Sequence, residues 1–335
     1  MKAIECKSYG SAEVFQFNQV PTPHPKPNEV LIRNYATTVT AADTMMRKGK
    51  PYIGRLYLGL KRPNKPIFGF EFAGEIVEVG INVRLFKTGD KVFGGTTTLG
   101  AYAEFICVNE DGVVTTMPDN ISFEEATPVS GSGITVLNYL KGLANIKKND
   151  KVLINGASGG LGTYAVQFAK HAGAEVTGVC SAGNVAMVTS LGADKVIDYN
   201  KSDFTKSEER YNIVFDTVGK RSFSDCKKVL TNDGIYLSPV LNFPLFIQFM
   251  RTSLSAGKKV KFSFTGMLPV KERLSYFIEL KDLLQTRKIK TVLDNRYSMS
   301  QIREAHQYVE MGHKRGNVIL SMPDNELSNS TTIFN

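Results

Sequence analysis

The sequence predicts a mostly β domain interrupted by an α/β domain whose helices wrap a parallel sheet, and three observations carry that expectation. Short apolar segments divided by Gly and Pro fill residues 29–114. After Pro118 the pattern changes to strand-like runs separated by helical stretches. One of those strands runs straight into a glycine-rich turn and a helix. At 335 residues, 42% apolar and 22% charged, the chain has an ordinary globular composition with length enough for two domains. A disordered or fibrous chain is excluded.

In order, the β segments of the first part are EVLIRNYATTV, GEIVEVG, DKVFGG and GAYAEFICV, several with period-two alternation. A helix is expected near residues 123–142, followed by strands at KVLIN, EVTGVC, KVID, NIVFD and GIYLS. A helical period returns at Leu274, Phe277, Ile278, Lys281 and Leu284, and a last strand, NVILSM, precedes a polar tail over 324–335 that is expected to fray. No internal repeat, low-complexity tract or tether-length linker appears.

The longest apolar stretch, 236–250, is interrupted by Pro239 and Pro244 and carries Asn242 and Gln248. It falls short of the roughly 18 to 20 residues that span a bilayer, so no integral membrane contact is expected. The opening MKAIECKSYG lacks the apolar core of a secretory signal, and no amphipathic transit peptide precedes the first strand-like segment, which predicts a cytoplasmic address. Cys6, Cys107, Cys180 and Cys226 lie far apart, without C-x-x-C spacing, and read as reduced, mostly buried thiols. The net charge of +9 is regional: residues 251–320 hold 14 Lys/Arg against 6 Asp/Glu. A solvated basic face or a phosphate-bearing ligand accounts for it. Aromatic interleaving and DNA-binding motifs are missing, so no nucleic-acid partner is expected.

The strongest local signal is KVLINGASGGLGTYAVQFAKHAG. Gly156, Ser158, Gly159, Gly160, Leu161 and Gly162 form a turn between strand and helix in which glycines permit positive φ and let backbone N–H groups approach a pyrophosphate. Ala165, Phe168, Ala169 and Ala172 form the sheet-facing stripe of the following helix, and Gly173 stands where it should stop. An NAD site usually places Asp or Glu at the end of the second strand, about 20 residues beyond the glycines. Here the chain reads Cys180-Ser181-Ala182-Gly183-Asn184. No carboxylate stands there to repel a 2′-phosphate, and Ser181, Asn184 and Tyr199 can donate to it, so NADPH is the expected cofactor. The usual Arg or Lys is missing from this turn, and a cation has to come from elsewhere.

The glycine turn, the upstream GFEFAGEIVEVG, the phrase LGADKVIDYN and the closing EAH with KRGNVIL together resemble the medium-chain dehydrogenase/reductase superfamily, in its zinc-free quinone oxidoreductase (zeta-crystallin-like) branch. The resemblance covers roughly residues 1–322. It implies a GroES-like catalytic domain at 1–122 and 267–335, a doubly wound Rossmann domain at 123–266, and a cleft that takes NADPH and a carbonyl, enone or quinone. It also implies a homodimer pairing Rossmann sheets edge to edge. Zinc-dependent members carry Cys near Ala41 and His at Phe70, so both ligands are absent, and His24, His171, His306 and His313 are scattered; no metal is expected. By the same resemblance Thr135 lies near the nicotinamide end of the cofactor. Asp216-Thr217-Val218-Gly219 passes the adenosine half, residues 238–241 with Val240 flank the nicotinamide, and Asn317 contacts the cofactor. The bland readings are that Thr135 satisfies a helix, Asp216 caps, and Asn317 closes a turn.

Hydride delivery to an activated alkene or quinone leaves an oxyanion that must be stabilised and protonated. Without metal the candidates are Thr40, Tyr52 and Tyr57, the tyrosines because a phenol donates while its ring packs on a flat substrate. Core or rim packing is the competing reading for both tyrosines, and Thr40 stands where many zinc-free relatives carry Asn. Asp43 is expected to anchor a salt bridge rather than act as a base. Residues 241–250, with Phe243, Phe246 and Phe249, are too aromatic for an ordinary surface loop; substrate wall, dimer contact and peripheral membrane contact all remain open. The sequence thus predicts a metal-independent NADPH-dependent reductase of quinones or α,β-unsaturated carbonyls. An alcohol/aldehyde oxidoreductase and an NADPH-binding sensor or RNA-binding protein with little turnover are the alternatives.

Overall fold

A computed structural model describes residues 1–323, which form two compact units. The first contains Met1–Gly131, Val270–Gln285 and the chain from Thr291 onward; the second contains Ser132–Pro269 and Thr286–Lys290. The divisions thus fall at 131/132 and 269/270 rather than the expected 122/123 and 266/267, and 286–290 goes with the second unit. The tail expected to fray lies outside the described residues.

The first unit opens with an antiparallel pair, β1 (Lys2–Cys6) and β2 (Phe15–Gln19). Next come β3 (Glu29–Val39), α1 (Ala41–Arg47), α2 (Arg55–Leu58), β4 (Glu71–Val79), β5 (Lys91–Gly95), β6 (Phe105–Asn109), β7 (Val113–Thr116) and α3 (Phe123–Ala126). Strand β3 is the spine of a GroES-like sheet, pairing antiparallel with both β4 and β6. Its side chains at Val30, Ile32, Ala36 and Val39 are buried, and Val30 and Ile32 join Phe72, Ile76 and Val92 in one apolar cluster. Each of these buried Val, Ile and Phe side chains contributes about 1.5–3 kcal/mol.

The helix expected over 123–142 is broken into pieces: α3, a 3-10 turn at Thr127–Val129, α4 (Ser132–Leu137) and a π-helical turn at Asn138–Leu143. Pro128 lacks the N–H a continuous helix needs, and Gly131 follows it. The second unit then runs β8 (Lys151–Asn155), α5 (Gly160–His171), β9 (Glu175–Cys180), α6 (Val185–Ser190), β10 (Lys195–Asp198), β11 (Tyr211–Asp216), α7 (Phe223–Cys226), β12 (Leu230–Leu237), α8 (Phe243–Ser253) and β13 (Lys259–Lys261). All six strands are parallel, in the order β10-β9-β8-β11-β12-β13. This is the doubly wound Rossmann order, and it reverses between β8 and β11, where ligands of such sheets bind.

The chain returns to the first unit through α9 (Val270–Gln285), β14 (Leu293–Ser298), α10 (Ile302–Glu310) and β15 (Asn317–Ser321), which pairs antiparallel with β3. Helix α9 buries Phe277, Leu280, Leu283 and Leu284, whereas Ile278, placed in the apolar period by the sequence, is exposed. Phe277 meets Phe93 of β5 with ring centroids 4.5 Å apart. Among the described residues no helix is long and apolar enough to cross a membrane.

Beneath α1 and α10 the first unit buries a polar group as well. Tyr102 shares a hydrogen bond with His306 Nε2 at 3.3 Å and donates to the Thr38 carbonyl. Arg47 pairs with Glu310, and its guanidinium lies 6.0 Å from the Phe15 ring. Asp43 Oδ2 accepts from Thr40 N at 2.8 Å and from the Thr40 hydroxyl, closing a capping box at the start of α1. The salt bridge expected of Asp43 is therefore replaced by helix capping: its carboxylate is held by Thr40.

Candidate functional site

In the second unit residues 156–162, Ser181, Asn184, Tyr199, Val218, Gly219 and Val240 follow the C-terminal ends of the parallel strands. Gly156 follows β8 at φ +80°, and a Cβ there would come within 2.6 Å of Thr217 Oγ1 and Val218 Cγ2. A Cβ on Gly162 would stand 2.0 Å from the Gly156 carbonyl oxygen and 2.7 Å from Ala157 backbone atoms, so this glycine lets α5 close onto the turn. Gly159 differs: a Cβ there would meet only the Gly156 oxygen, at 3.5 Å. The space above it is open, at the N-cap of a twelve-residue helix, with no side chain capping it. An open approach to unpaired helix N–H groups is what a pyrophosphate requires.

Asn184 links this turn to the end of β9, its amide nitrogen lying 3.2 Å from Ser158 Oγ and 3.1 Å from Ser181 Oγ. The side chain is buried, and its Oδ1 has no partner among the described residues. Three polar side chains thus meet beside the glycines with no carboxylate on the β9–α6 turn. Tyr199 is tied to the same place by its N–H, which donates to the Cys180 carbonyl at 3.1 Å. Lys201 stands exposed two residues farther on. A 2′-phosphate fits this set. Replacing Ser181 by Asp is expected to reverse the preference between NADPH and NADH, with the ratio of the two dissociation constants shifting at least about tenfold toward NADH, as fluorescence titration would show.

At the switch point, Asp216 is fully buried at the end of β11 and acts as the hub of a turn. It accepts from Asn155 Nδ2 at 2.8 Å, from the N–H groups of Val218 and Gly219 at 3.1 Å, and from the Tyr236 hydroxyl at 3.0 Å. These bonds present Val218, partly exposed, and Gly219, at φ +72°, on the same edge. Gly219 abuts Val240, whose Cβ lies 2.5 Å from where its own would be. Ser238 is buried and its hydroxyl accepts from Val240 N–H. Thr135 is half-buried on α4. Sequence reasoning passed over Asn155 and Tyr236; an Asn immediately before the turn glycine was the available signal.

The other expected residues belong to the first unit. Tyr52 and Tyr57 lie five residues apart on the short helical segment 52–58, both exposed. The Tyr57 hydroxyl donates to the Thr97 carbonyl at 3.0 Å. That of Tyr52, a residue 68% exposed, has no hydrogen-bond partner among the described residues. Arg55 holds the segment, its guanidinium 4.4 Å from the Tyr9 ring and 5.0 Å from that of Tyr52. Arg55 was also missed, although its i,i+3 spacing from Tyr52 is visible in the sequence. The hydroxyl of Thr40 is engaged with Asp43. Asn317 is buried at the start of β15, where its side-chain amide and its backbone N–H both point at the Val292 carbonyl.

A catalytic zinc does not fit these residues. Ala41 begins α1, Phe70 packs on the core, and among the described residues no three His, Cys, Asp or Glu side chains are grouped to hold a metal. The thiols are equally unsuited to nucleophilic work: burial pushes Cys6, Cys107 and Cys180 up to about 11 and Cys226 to about 12.

Sheet order, glycine turn and the polar group beside it define a dinucleotide-binding oxidoreductase domain joined to a GroES-like domain. Residues 26–119 match the family model described as alcohol dehydrogenase GroES-like domain, and residues 191–320 that described as zinc-binding dehydrogenase. The chloroplast envelope quinone oxidoreductase homolog of Arabidopsis thaliana is 33% identical, over 96% of this chain and 98% of that protein. The 2-methylene-furan-3-one reductase of Solanum lycopersicum is 29% identical, over 96% of this chain and 79% of that protein. The solved structure of Escherichia coli quinone oxidoreductase complexed with NADPH matches with a TM-score of 0.82 at 26% identity, covering 96% of this chain and 100% of that one. The chain belongs to the medium-chain dehydrogenase/reductase superfamily, among its quinone oxidoreductases.

Proposed function

We propose that this protein is an NADPH-dependent reductase that transfers hydride to a quinone or an α,β-unsaturated carbonyl without a metal. The observation that carries the reading is the glycine turn, open above Gly159, with Ser158, Ser181 and Asn184 gathered beside it. Relatives described as a quinone oxidoreductase homolog and a furanone reductase support the acceptor class. Bound NADPH supplies the hydride. The chain's own part begins with the N–H groups at the start of α5, which hold the pyrophosphate. Ser158, Ser181, Asn184 and Tyr199 select the 2′-phosphate, with Lys201 as the cation that the β9–α6 turn lacks. Thr135, Val218, Gly219, Val240 and Asn317 complete the cofactor contacts in this proposal.

An acceptor that gains hydride develops negative charge on oxygen, and of the three candidate hydroxyls we assign that of Tyr52 to donate to it, because those of Tyr57 and Thr40 already have partners. Substituting Tyr52 by Phe is expected to lower kcat on a 2-alkenal about hundredfold while leaving the NADPH dissociation constant unchanged. Tyr57→Phe should cost much less. Equal kcat for wild type and Tyr52→Phe would remove Tyr52 from the mechanism.

We further propose a homodimer formed through β13, which pairs only with β12 and leaves the outer edge of the parallel sheet without a partner among the described residues. The four free thiols, three of them buried, suit a reducing compartment, and the cytoplasm is the address we propose.

A further inference from the structure

The aromatic stretch that the sequence left unassigned is an amphipathic helix with its apolar stripe turned to solvent. Asn242 caps α8, its Oδ1 accepting from Leu245 N–H at 2.9 Å, and Pro244 stands in the first turn. Leu245 and Thr252 face inward and are buried, and Thr252 Oγ1 accepts from Val260 N–H of β13 at 3.0 Å. On the opposite side Phe243, Phe246, Met250 and Leu254 are 76%, 42%, 50% and 90% exposed. At 3.6 residues per turn these four fall within an arc of about 80°.

The stripe is bordered by positive charge. Arg251 follows Met250, and Lys258 and Lys259 follow the end of the helix. Lys258 Nζ donates to the Lys227 carbonyl at 2.7 Å, which brings Lys227 and Lys228, both exposed, to the same end. Lys259 Nζ donates to the carbonyls of Thr252 and Ser255. These partners are neutral carbonyls, so the charge is not cancelled by them. Over residues 225–267 the chain carries six Lys/Arg against Asp225 and Asp233, and no carboxylate at all from 234 to 271.

From this geometry we infer that the exposed face of α8 docks on an anionic lipid surface, with Phe243, Phe246, Met250 and Leu254 entering the headgroup boundary and Lys227, Lys228, Arg251 and Lys258 meeting lipid phosphates. An interfacial helix is recognised by this combination of an apolar stripe and a cationic border. A second copy is the poorer occupant. A two-fold contact seats the patch of one chain on the same patch of the other, which covers the apolar stripe but offers no negative charge to Lys227, Lys228, Arg251 and Lys258. A negatively charged membrane complements both halves of the patch at once.

The test is cosedimentation of the full chain with vesicles of phosphatidylcholine alone and of phosphatidylcholine with phosphatidylglycerol. Binding is expected only with phosphatidylglycerol, weakening as salt is added. Each cation near such a surface is worth about a fivefold change in partition. The charge reversal K227E/K228E should therefore lower partition at least about tenfold, and F243S/M250S should do the same at constant charge. NADPH binding is expected to be retained by both variants, which checks that they are folded. If F243S/M250S is not folded, K227E/K228E, on exposed lysines, carries the test. Absence of binding to phosphatidylglycerol vesicles, or binding unchanged in the folded variants, overturns the inference. So does conversion of a dimer to a monomer by F243S/M250S, which would assign the face to a second copy.

Discussion

Gly162→Ala is expected to lower NADPH affinity about a hundredfold and Gly159→Ala only about tenfold, although both lie in one turn. The Gly162 methyl would have to occupy space 2.0 Å from the Gly156 oxygen and 2.7 Å from Ala157 Cα and carbonyl carbon. All three neighbours are backbone, so relief requires α5 to lift from the turn after β8. Overpacking of this kind costs about 1–3 kcal/mol or somewhat more, and a displacement of an ångström at a binding site costs about a hundredfold. Gly159→Ala meets one atom at 3.5 Å, an ordinary contact, and leaves the fold intact. Its methyl does enter the open approach, so about a tenfold loss of NADPH affinity at unchanged melting temperature is expected. Fluorescence titration beside thermal denaturation separates the two. Equal affinities for wild type and Gly162→Ala would show that the cofactor is not held at this turn.

The second large effect concerns acid. Burial holds the His306 imidazole neutral, down to about 3 against an ordinary 6.5, with the Arg47 charge adding to the effect. Its folded pKa is depressed, so its contribution to stability is complete above pH 6.5 and is lost as the pH falls toward 3. Burial pushes the Asp43 carboxyl the other way, up to about 6 from 3.8, against the pull of its bonds from Thr40. Its folded pKa is raised, so its contribution is complete below pH 3.8 and is lost as the pH rises through 6. Between pH 6 and 4 the two nearly cancel, each changing stability by about 2–3 kcal/mol.

Removing one should therefore expose the other. His306→Gln, which keeps a partner for Tyr102, is expected to become more stable relative to wild type as the pH falls from 6 to 4, and Asp43→Asn less stable. Each difference should amount to roughly 5–10 °C in melting temperature. Other titrating groups are common to the three proteins and drop out of the comparison. Parallel profiles for all three would mean that neither group is held in its buried state.

How much of this was visible beforehand depends on how local each signal is. The glycine turn was legible because its requirements, positive φ at Gly156 and close approach at Gly162, can be met only by glycine. Strand β3 and the five strands from β8 to β12 showed themselves as runs of apolar and β-branched residues. Strand β13 did not: Lys259–Lys261 is three residues with lysine at both ends, and only its pairing with β12 makes it a strand. Pro244 read as an interruption because proline ends helices, yet at the first turn of α8 it begins one. Asp43 was expected to anchor a salt bridge, but the nearby Thr40 captured its carboxylate. The roles of Asn155 and Tyr236 depend on Asp216 being buried between them, a long-range fact that spacing cannot supply.

The central claim is tested most directly by following NADPH oxidation at 340 nm with chelator-treated protein, offering 1,4-benzoquinone, a 2-alkenal and a saturated aldehyde, with NADH in parallel. Catalytic turnover of the quinone or the alkenal, faster with NADPH than NADH and indifferent to the chelator, is the predicted result. Turnover of the saturated aldehyde alone, or activity that disappears with the chelator, would contradict it.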